Sequence, residues 1–206
     1  MKLARLTTVL FLAGLVVGGP ALATGGPREV VQRLGDRVLA VLRDGSLSAD
    51  AKRDRIMDIA KEGVDFDTLA RLVLARNVTR FSTDEQARFR EEFRRHLSVT
   101  YGNTVETYKN EHFEITGDRE EARGDWTVKT KIVRDGPDDV AVDYRLRQAD
   151  AGWKIIDFVV EGVSLVSNFR SQFQDLLSSR TPAELIALLH EKNSRGESII
   201  PKKAPA

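Results

Sequence analysis

The stretch from Gly152 to Phe173 changes from a strand pattern to a helical pattern across Gly162. Residues 153–160 are nearly all β-branched, aromatic or large aliphatic, which is typical of a strand covered on both faces. Ser164 then offers a helix N-cap. The apolar residues that follow at helical spacing are Leu165, Phe169, Phe173 and Leu176. This segment is therefore predicted to close a sheet and to pack a helix beside it.

The first half of the chain is predicted to be helical. Apolar residues at three- and four-residue steps predict a first helix that ends near residue 44, and Ser48 can cap a second helix. Residues 65–81 are predicted to form a third helix. Ser82 opens a capping-box spacing, S-x-x-E, at the start of a long fourth helix that is predicted to reach Tyr108.

From Phe113 the apolar period changes from helical to two, and glycines separate four strand-like runs. Two more helices follow, and Thr181 caps the last one. Helices, then an antiparallel meander, then helices is the order of an α+β fold. We predict a curved four-stranded antiparallel sheet, NTF2-like or cone-like, wrapped by N- and C-terminal helices.

The second and third strands also predict how they pair. Placing Ile132 opposite Val140 sets Lys129 opposite Asp143 and keeps the large apolar side chains together. The connecting loop is then 135–137. One face of the sheet is therefore predicted to be apolar and the other wet.

The N-terminus has the pattern of a secretory signal peptide. Lys2 and Arg5 precede an apolar run over residues 6–17, which is shorter than the roughly 20 residues that a membrane-spanning helix needs. Small residues end at Ala23, after which we expect cleavage and export. The predicted division is a signal peptide over residues 1–23, a single α+β domain over 24–193 and a flexible C-terminal tail over 194–206.

Composition argues against several function classes. Without Lys2 and Arg5 the chain has 30 basic against 31 acidic side chains, so it has no overall field that would attract nucleic acid. There is no cysteine, no glycine-rich phosphate loop, and the three histidines His96, His112 and His190 lack metal-ligand spacing. We expect no nucleic-acid partner, no metal and no cofactor.

Three blocks of the sequence resemble the MlaC-type periplasmic phospholipid-binding family, whose members are also called toluene-tolerance proteins. These blocks are residues 65–76, 82–108 and 141–173. The third is the most specific, with family-like spacing of residues 143–145, Gly152-Trp153, Asp157, 161–164 and Arg170. The chain differs at Ala75 and at residues 78–80, where relatives usually have a glycine followed shortly by a tryptophan.

The resemblance implies a periplasmic lipid shuttle without catalytic activity. Such proteins act as auxiliary components of an ABC transporter. They carry phospholipid between an outer-membrane lipoprotein and porin complex and an inner-membrane ABC transporter complex with a membrane-anchored, substrate-binding subunit, and so support outer-membrane lipid asymmetry. The phospholipid is cargo, with its acyl chains in an apolar cavity between sheet and helices.

Ten residues are candidates for the cavity wall because they fall on the apolar sheet face or on the long helix. They are Phe93, Leu97, Tyr101, Trp126, Val128, Ile132, Val140, Val142, Tyr144 and Leu146. The same pattern also fits an ordinary packed core, since periodicity reports burial and not what fills the space.

The wet sheet face carries a second candidate site. Lys129, Lys131, Arg145 and Arg147 lie there with only Asp143 to oppose them. We call these four residues the sheet patch and expect it to dock a partner or to make transient contact with an anionic membrane surface, where each basic residue contributes about 1 kcal/mol. The alternative is an ordinary solvated face.

Two rival functions use other features. Asp157 lies among apolar neighbours, and a buried carboxylate in a cone-like fold can serve as a general base, which would make the chain an exported enzyme. A buried Asp paired with a backbone amide or with Arg170 is the plainer interpretation. The other rival is a non-lipid interaction module whose interior is filled by its own side chains.

Overall fold

The computed structural model describes residues 25–102, 108, 111–134 and 139–199. The predicted signal peptide and the loop 135–137 lie outside these residues. The helices are α1 (Pro27–Arg43), α2 (Ala49–Gly63), α3 (Phe66–Leu74), α4 (Thr83–Tyr101), α5 (Leu165–Ser179) and α6 (Pro182–Ser194).

The strands are β1 (His112–Glu120), β2 (Trp126–Val133), β3 (Val140–Ala149), β4 (Gly152–Val160) and β5 (Val163–Ser164). They form one open antiparallel sheet in the order β1-β2-β3-β4-β5. The α+β class is confirmed, with one strand more than the four predicted. The fifth strand arises because the chain turns at Glu161 and Gly162, both at positive φ, and the next two residues pair back onto β4.

The predicted register of β2 and β3 is confirmed. Ile132 pairs with Val140 and Lys129 with Asp143. Alternation of apolar and polar residues excludes a slip of one residue, which would move the apolar side chains to the other face, and the opposite charges of Lys129 and Asp143 favour this register over a slip of two.

A bulge explains why β4 looked covered on both faces. The register between β3 and β4 shifts between Arg145 and Leu146, so that Asp157 lies opposite Arg145 while Ile155 lies opposite Leu146. Ile155, Ile156 and Asp157 are consecutive and all buried. One extra residue on β4 therefore turns Asp157 to the face opposite Ile155.

The predicted third helix is wrong beyond Leu74. Ala75 has φ 48° and ψ −127°, a backbone conformation that is largely restricted to glycine, and a 3₁₀ helix follows over Ala75–Arg80. Alanine gives no sequence signal for such a break, because it is the best helix former. The predicted extension of the fourth helix to Tyr108 is also wrong, since α4 ends at Tyr101 and Tyr108 is not helical.

The predicted helix caps are confirmed. Side-chain oxygens of Ser48, Ser82, Ser164 and Thr181 each accept a backbone N–H three residues on, and Ser82 and Thr181 belong to complete capping boxes. Each such cap satisfies backbone donors that the helix itself leaves without partners, typically worth about 1 kcal/mol.

The start of the predicted C-terminal tail lies against α4. The backbone N–H of Ile199 donates to Nε2 of buried His96 at 3.1 Å, and the hydroxyls of Ser198 and Thr100 are 3.0 Å apart. Ile199 also packs against the hydrophobic core. The predicted flexibility of residues 200–206 concerns a part of the chain outside the described residues.

Candidate functional site

A cavity of about 560 Å³ lies between the α1–α2 pair and the apolar face of the sheet. Its walls on the helix side are formed by Val31, Leu34, Val38, Leu39 and Leu42 of α1 and by Ile56, Ile59 and Ala60 of α2. On the sheet side they are formed by Phe113, Ile132, Val140, Tyr144, Ile155 and Phe158. Glu111, His112 and Arg134 supply polar groups to this first cavity.

A second cavity, of about 510 Å³, lies between α2, the C-terminal half of α4 and the start of α5. Its lining includes Met57, Phe66, Leu97, Tyr101, Val160, Val163 and Leu165. Tyr101 and Val160 are each 42% exposed and Val163 is 59% exposed, although most large apolar side chains of the described residues are covered. The second cavity therefore opens to the surface through an apolar rim.

The two cavities adjoin. Six residues line both of them: Val38, Leu42, Ile56, Ala60, Val64 and Phe158. Residues 38–42 of α1 and 56–60 of α2 thus cover both cavities, and we call this part of the helix pair the roof. Phe158 of β4 lies where the two cavities meet. Each volume is within the range of about 300–1,000 Å³ that is usual for small-molecule sites.

Next to the roof, close contacts hold α1 against its neighbours near Gly35 and Gly63. A Cβ atom on Gly35 would overlap the ring of Phe113, and one on Gly63 would overlap the side chain of Leu34. Arg37 adds a two-pronged ion pair to Glu62, with N···O distances of 2.5 and 3.0 Å. These contacts therefore hold the helix pair in place at residues 35 and 63, and the adjacent roof covers the cavities.

Tyr144 places a phenol in the sheet wall of the first cavity. Burial raises the pKa of its phenol to about 12, although a hydrogen bond with Thr130 acts in the opposite direction. Its ring meets that of Phe158 edge-on, with centroids 5.6 Å apart. The wall at this point is therefore uncharged at any physiological pH.

Five of the ten predicted cavity residues line these two spaces. Ile132, Val140 and Tyr144 line the first cavity, and Leu97 and Tyr101 line the second. The structure places Phe93, Val128 and Leu146 in the hydrophobic core, each at most 1% exposed. Trp126 and Val142 line neither cavity.

The placement of Phe93 shows why pattern alone misleads here. Its ring packs edge-on against Phe169 and Phe173, with centroids 5.0 and 5.5 Å apart, and stacks on Phe89 at 5.6 Å. Protein side chains thus fill the space between α4 and α5. Trp126 has a different role, since its Nε1 donates to Asp118 at 2.9 Å.

The sequence pattern places the roof residues on apolar helix faces but does not predict that they line a cavity. Periodicity identified Val38, Leu42 and Ile56 but could not say that they face a space instead of other side chains. Glycines within those apolar faces, Gly35 and Gly63, are the available sequence signal. They mark where a helix approaches another element closely.

The sheet patch is largely neutralised. Lys131 lies 3.2 Å from Glu114 and 3.3 Å from Asp139, and Arg147 binds Asp125 through two hydrogen bonds of 2.7 Å. Arg145 lies 3.8 Å from Asp157, and Lys129 is opposite Asp143 in the register of β2 and β3. Asp125 and Asp139 lie outside the paired strands, so strand alternation gave no sign of them.

Asp157 acts as a structural anchor for α5. Its carboxylate accepts the backbone N–H of Val166 at 3.0 Å and the hydroxyl of Ser164 at 2.6 Å. A carboxylate at a helix N-terminus is stabilised by the unpaired N–H groups there. The hydrogen bond of Arg170, the partner considered for Asp157, goes instead to the carbonyl of Leu72.

Among residues 25–102, 108, 111–134 and 139–199, no helix is both long and apolar enough to cross a bilayer. No group of three or more His, Asp or Glu side chains in that part of the chain could hold a metal ion. His96 is buried and its Nδ1 lies 2.8 Å from Oδ1 of Asn193.

Comparisons with known proteins agree with this architecture. The toluene tolerance protein ttg2D of Pseudomonas putida is 26% identical over 156 residues, which cover 73% of each chain. The structure of a phospholipid-binding protein from Ralstonia solanacearum, solved in complex with a phospholipid, has the same fold, with a TM-score of 0.76 at 23% identity over 84% of this chain and 99% of that one. A family model described as MlaC protein matches residues 32–191. The resemblance is thereby confirmed, and this chain belongs to the MlaC family.

Proposed function

We propose that this protein carries a phospholipid whose acyl chains occupy the two adjoining cavities under the α1–α2 roof. The observation that supports this most is the pair of apolar spaces, about 560 and 510 Å³, that share six lining residues. Related proteins support the same assignment, since the fold neighbour from Ralstonia solanacearum is a phospholipid-binding protein.

The energetics of the cargo explain why such spaces are needed. Two acyl tails carry roughly 30 methylenes, and at about 0.8 kcal/mol each their exposure to water would cost on the order of 24 kcal/mol. A carrier must therefore cover nearly all of both tails. Walls formed by aliphatic and aromatic side chains, with the phenol of Tyr144 uncharged, meet that requirement.

We further infer that the protein works in the periplasm after removal of the predicted signal peptide. It exchanges lipid with an outer-membrane lipoprotein and porin complex and with an inner-membrane ABC transporter complex that has a membrane-anchored binding subunit. Family membership and the likeness to a toluene tolerance protein support this placement. The energy for transport comes from the partners, because the chain has no nucleotide-binding motif.

The carrier has no catalytic step in this proposal. The carboxylate of Asp157 is engaged by the start of α5, is only 2% exposed and lines neither cavity, so it is not placed to act as a base on a molecule bound there. Asp157→Asn is expected to lower the free energy of unfolding by about 1–3 kcal/mol and to leave bound lipid unchanged. Loss of turnover on a small substrate with unchanged stability would favour the enzyme instead.

Native mass spectrometry of the chain from Thr24 onward, purified without detergent, tests the carrier directly. We expect a mass excess that matches one phospholipid per chain, with the lipid recovered by extraction of the same sample. A bare chain mass that persists after incubation with phospholipid vesicles would refute the carrier and favour a self-filled interaction module.

A further inference from the structure

Five arginines lie on α3, on the 3₁₀ helix, on α5 and at the C-cap of α5, which pack against one another. We call them the arginine seam: Arg71, Arg76, Arg80, Arg170 and Arg180. Four of them are exposed and Arg170 is half-buried. None of their guanidinium groups forms an ion pair with a carboxylate in the described part of the chain. The seam therefore differs from the sheet patch, where Lys131, Arg145 and Arg147 each have a carboxylate within ion-pair distance.

Backbone carbonyls at helix ends fix part of the seam. Arg80 donates from one terminal nitrogen to Leu177 at 2.8 Å and from the other to Arg180 at 3.0 Å. Arg170 donates from Nε to Leu72 at 3.0 Å. These carbonyls belong to the last turns of α5 and α3, where a helix leaves acceptors without partners. Each guanidinium keeps further N–H donors for an external acceptor.

Few acidic groups oppose the seam. Asp67 of α3 is held by Arg90 at 2.5 Å, and Glu184 is held by the N-terminus of α6, where Thr181 donates to it at 2.7 Å. Asp175 of α5 lies five residues after Arg170, about 140° around the helix axis. Arg71 donates to the Thr68 hydroxyl, which is bound to Asp65, and Glu184 attracts Arg180. These two carboxylates offset part of the positive charge of the seam without a direct ion pair in the described residues.

We propose that the arginine seam is the docking surface for an acidic patch on a partner protein. Guanidinium groups bind carboxylates through two parallel hydrogen bonds, and every cation in the seam is an arginine. Two of the five are already held in place by carbonyls, which lowers the entropy lost when a partner binds. This inference rests on the proposed carrier function, in which the seam binds the protein that donates or accepts the lipid.

Its position favours a protein over a bilayer. The seam runs about 15 Å along α5 from Arg170 to Arg180, away from the start of the helix, which lines the second cavity. The exposed large apolar side chains of the described residues are Tyr101, Val160 and Val163, all at the rim of that cavity. A protein bound at the seam leaves the rim of the second cavity free to face a lipid acceptor.

The test compares two triple variants with equal loss of charge. R71Q/R76Q/R180Q removes seam cations and keeps Arg80 and Arg170, which hold helix ends. R90Q/R94Q/R95Q removes three cations of α4 that are each paired with a carboxylate. Fluorescence anisotropy with labelled poly-L-glutamate at low salt measures binding. We expect about a tenfold loss of affinity for the first variant and less than about a threefold loss for the second.

Equal losses of affinity in the two variants would show that binding depends only on net charge, and this would overturn the proposal. So would unchanged poly-L-glutamate binding together with lost sedimentation on phosphatidylcholine–phosphatidylglycerol vesicles, which would assign the seam to membranes. If the triple variant is unstable, the exposed single variant Arg76→Glu replaces it, and unchanged binding by this variant counts against the seam. Bound lipid is measured in the same samples, so failure of the docking surface is distinguishable from failure of the carrier.

Discussion

The two halves of the helical layer use similar apolar patterns for opposite purposes. Between α4 and α5 lie the buried rings of Phe89, Phe93, Phe169 and Phe173, and in five of their six pairs the ring centroids are 5.0–5.6 Å apart. Under α1 and α2, aliphatic side chains surround two spaces of about 560 and 510 Å³. We call the region around α4 and α5 the filled half and the region under α1 and α2 the hollow half. Both are built from the same kind of amphipathic helix.

The difference lies in what faces each helix. The filled half sets aromatic residues opposite aromatic residues, so each ring occupies the space that its neighbour leaves. The hollow half sets Val38, Leu42 and Ile56 opposite Phe158 and leaves a gap between them. Stability is therefore expected to reside mainly in α3–α6 and ligand binding in the α1–α2 roof.

Phe93→Ala tests the filled half and has the largest expected effect. It should lower the free energy of unfolding by about 3–5 kcal/mol, because the cavity left among close-packed rings cannot collapse fully. Val38→Ala, its counterpart in the hollow half, should cost less than about 1 kcal/mol in lipid-free protein. Urea denaturation measures both. Similar losses in the two variants would show that the halves are packed alike.

Ile56→Glu tests the hollow half. An ionised carboxylate among acyl chains should weaken lipid binding by at least about 2 kcal/mol, or roughly 30-fold, while the fold persists. Arg55→Glu is the control, because Arg55 is exposed on the next position of the same helix. Lipid extracted per mole of purified protein is the measurement. A folded Ile56→Glu variant with its full lipid content would place the cargo elsewhere.

Acid should weaken the filled half first. Burial lowers the pKa of His96, although its hydrogen bond with Asn193 opposes the shift. The folded state therefore favours the neutral ring. This contribution to stability is complete above the unfolded-state pKa of about 6.5 and is lost as pH falls through the lower folded-state pKa.

Thermal unfolding between pH 7.5 and 5 measures this effect, and His96→Asn is the control, since its side chain cannot titrate. We expect the pH dependence to be smaller in the variant and the lipid content of both proteins to stay constant over the range. An equal slope in the two proteins would assign the acid sensitivity to other groups.

Ala75→Gly has the smallest expected effect and the opposite sign. Glycine adopts the backbone conformation of residue 75 without strain, so the substitution should raise the free energy of unfolding by about 0.5–1 kcal/mol. The same change at Ala87, within α4, should lower it by about 1 kcal/mol. Chemical denaturation of both variants decides, and a loss at both positions would show that Ala75 is not strained.

Sequence was sufficient where local physics decides the structure. The pairing of Lys129 with Asp143 was predictable because alternation fixes the face and unlike charges fix the register. The capping boxes at Ser82 and Thr181 were predictable for the same reason, since each is complete within four residues. In both cases the partners can be read from spacing alone.

Sequence was insufficient where the outcome depends on distant partners. Phe93 and Leu97 share one helical face, yet Phe93 meets three other rings while Leu97 lines the second cavity. Arg147 belongs to a face that looked basic, and its charge is matched by Asp125 from the turn before β2. Periodicity predicts which side of a helix or strand is covered, but not what covers it.

The glycines at positions 35 and 63 have a consequence for the size of the cargo. Gly35 lies against the ring of Phe113 in β1, and Gly63 of α2 lies against Leu34 of α1. The first therefore sets the clearance between α1 and the sheet, and the second sets the spacing between α1 and α2. A larger residue at Gly35 would separate α1 from Phe113 and deepen the space next to it, with the new side chain itself becoming part of the wall. We therefore expect the capacity for longer or bulkier acyl chains to be adjustable at two positions that carry no side chain.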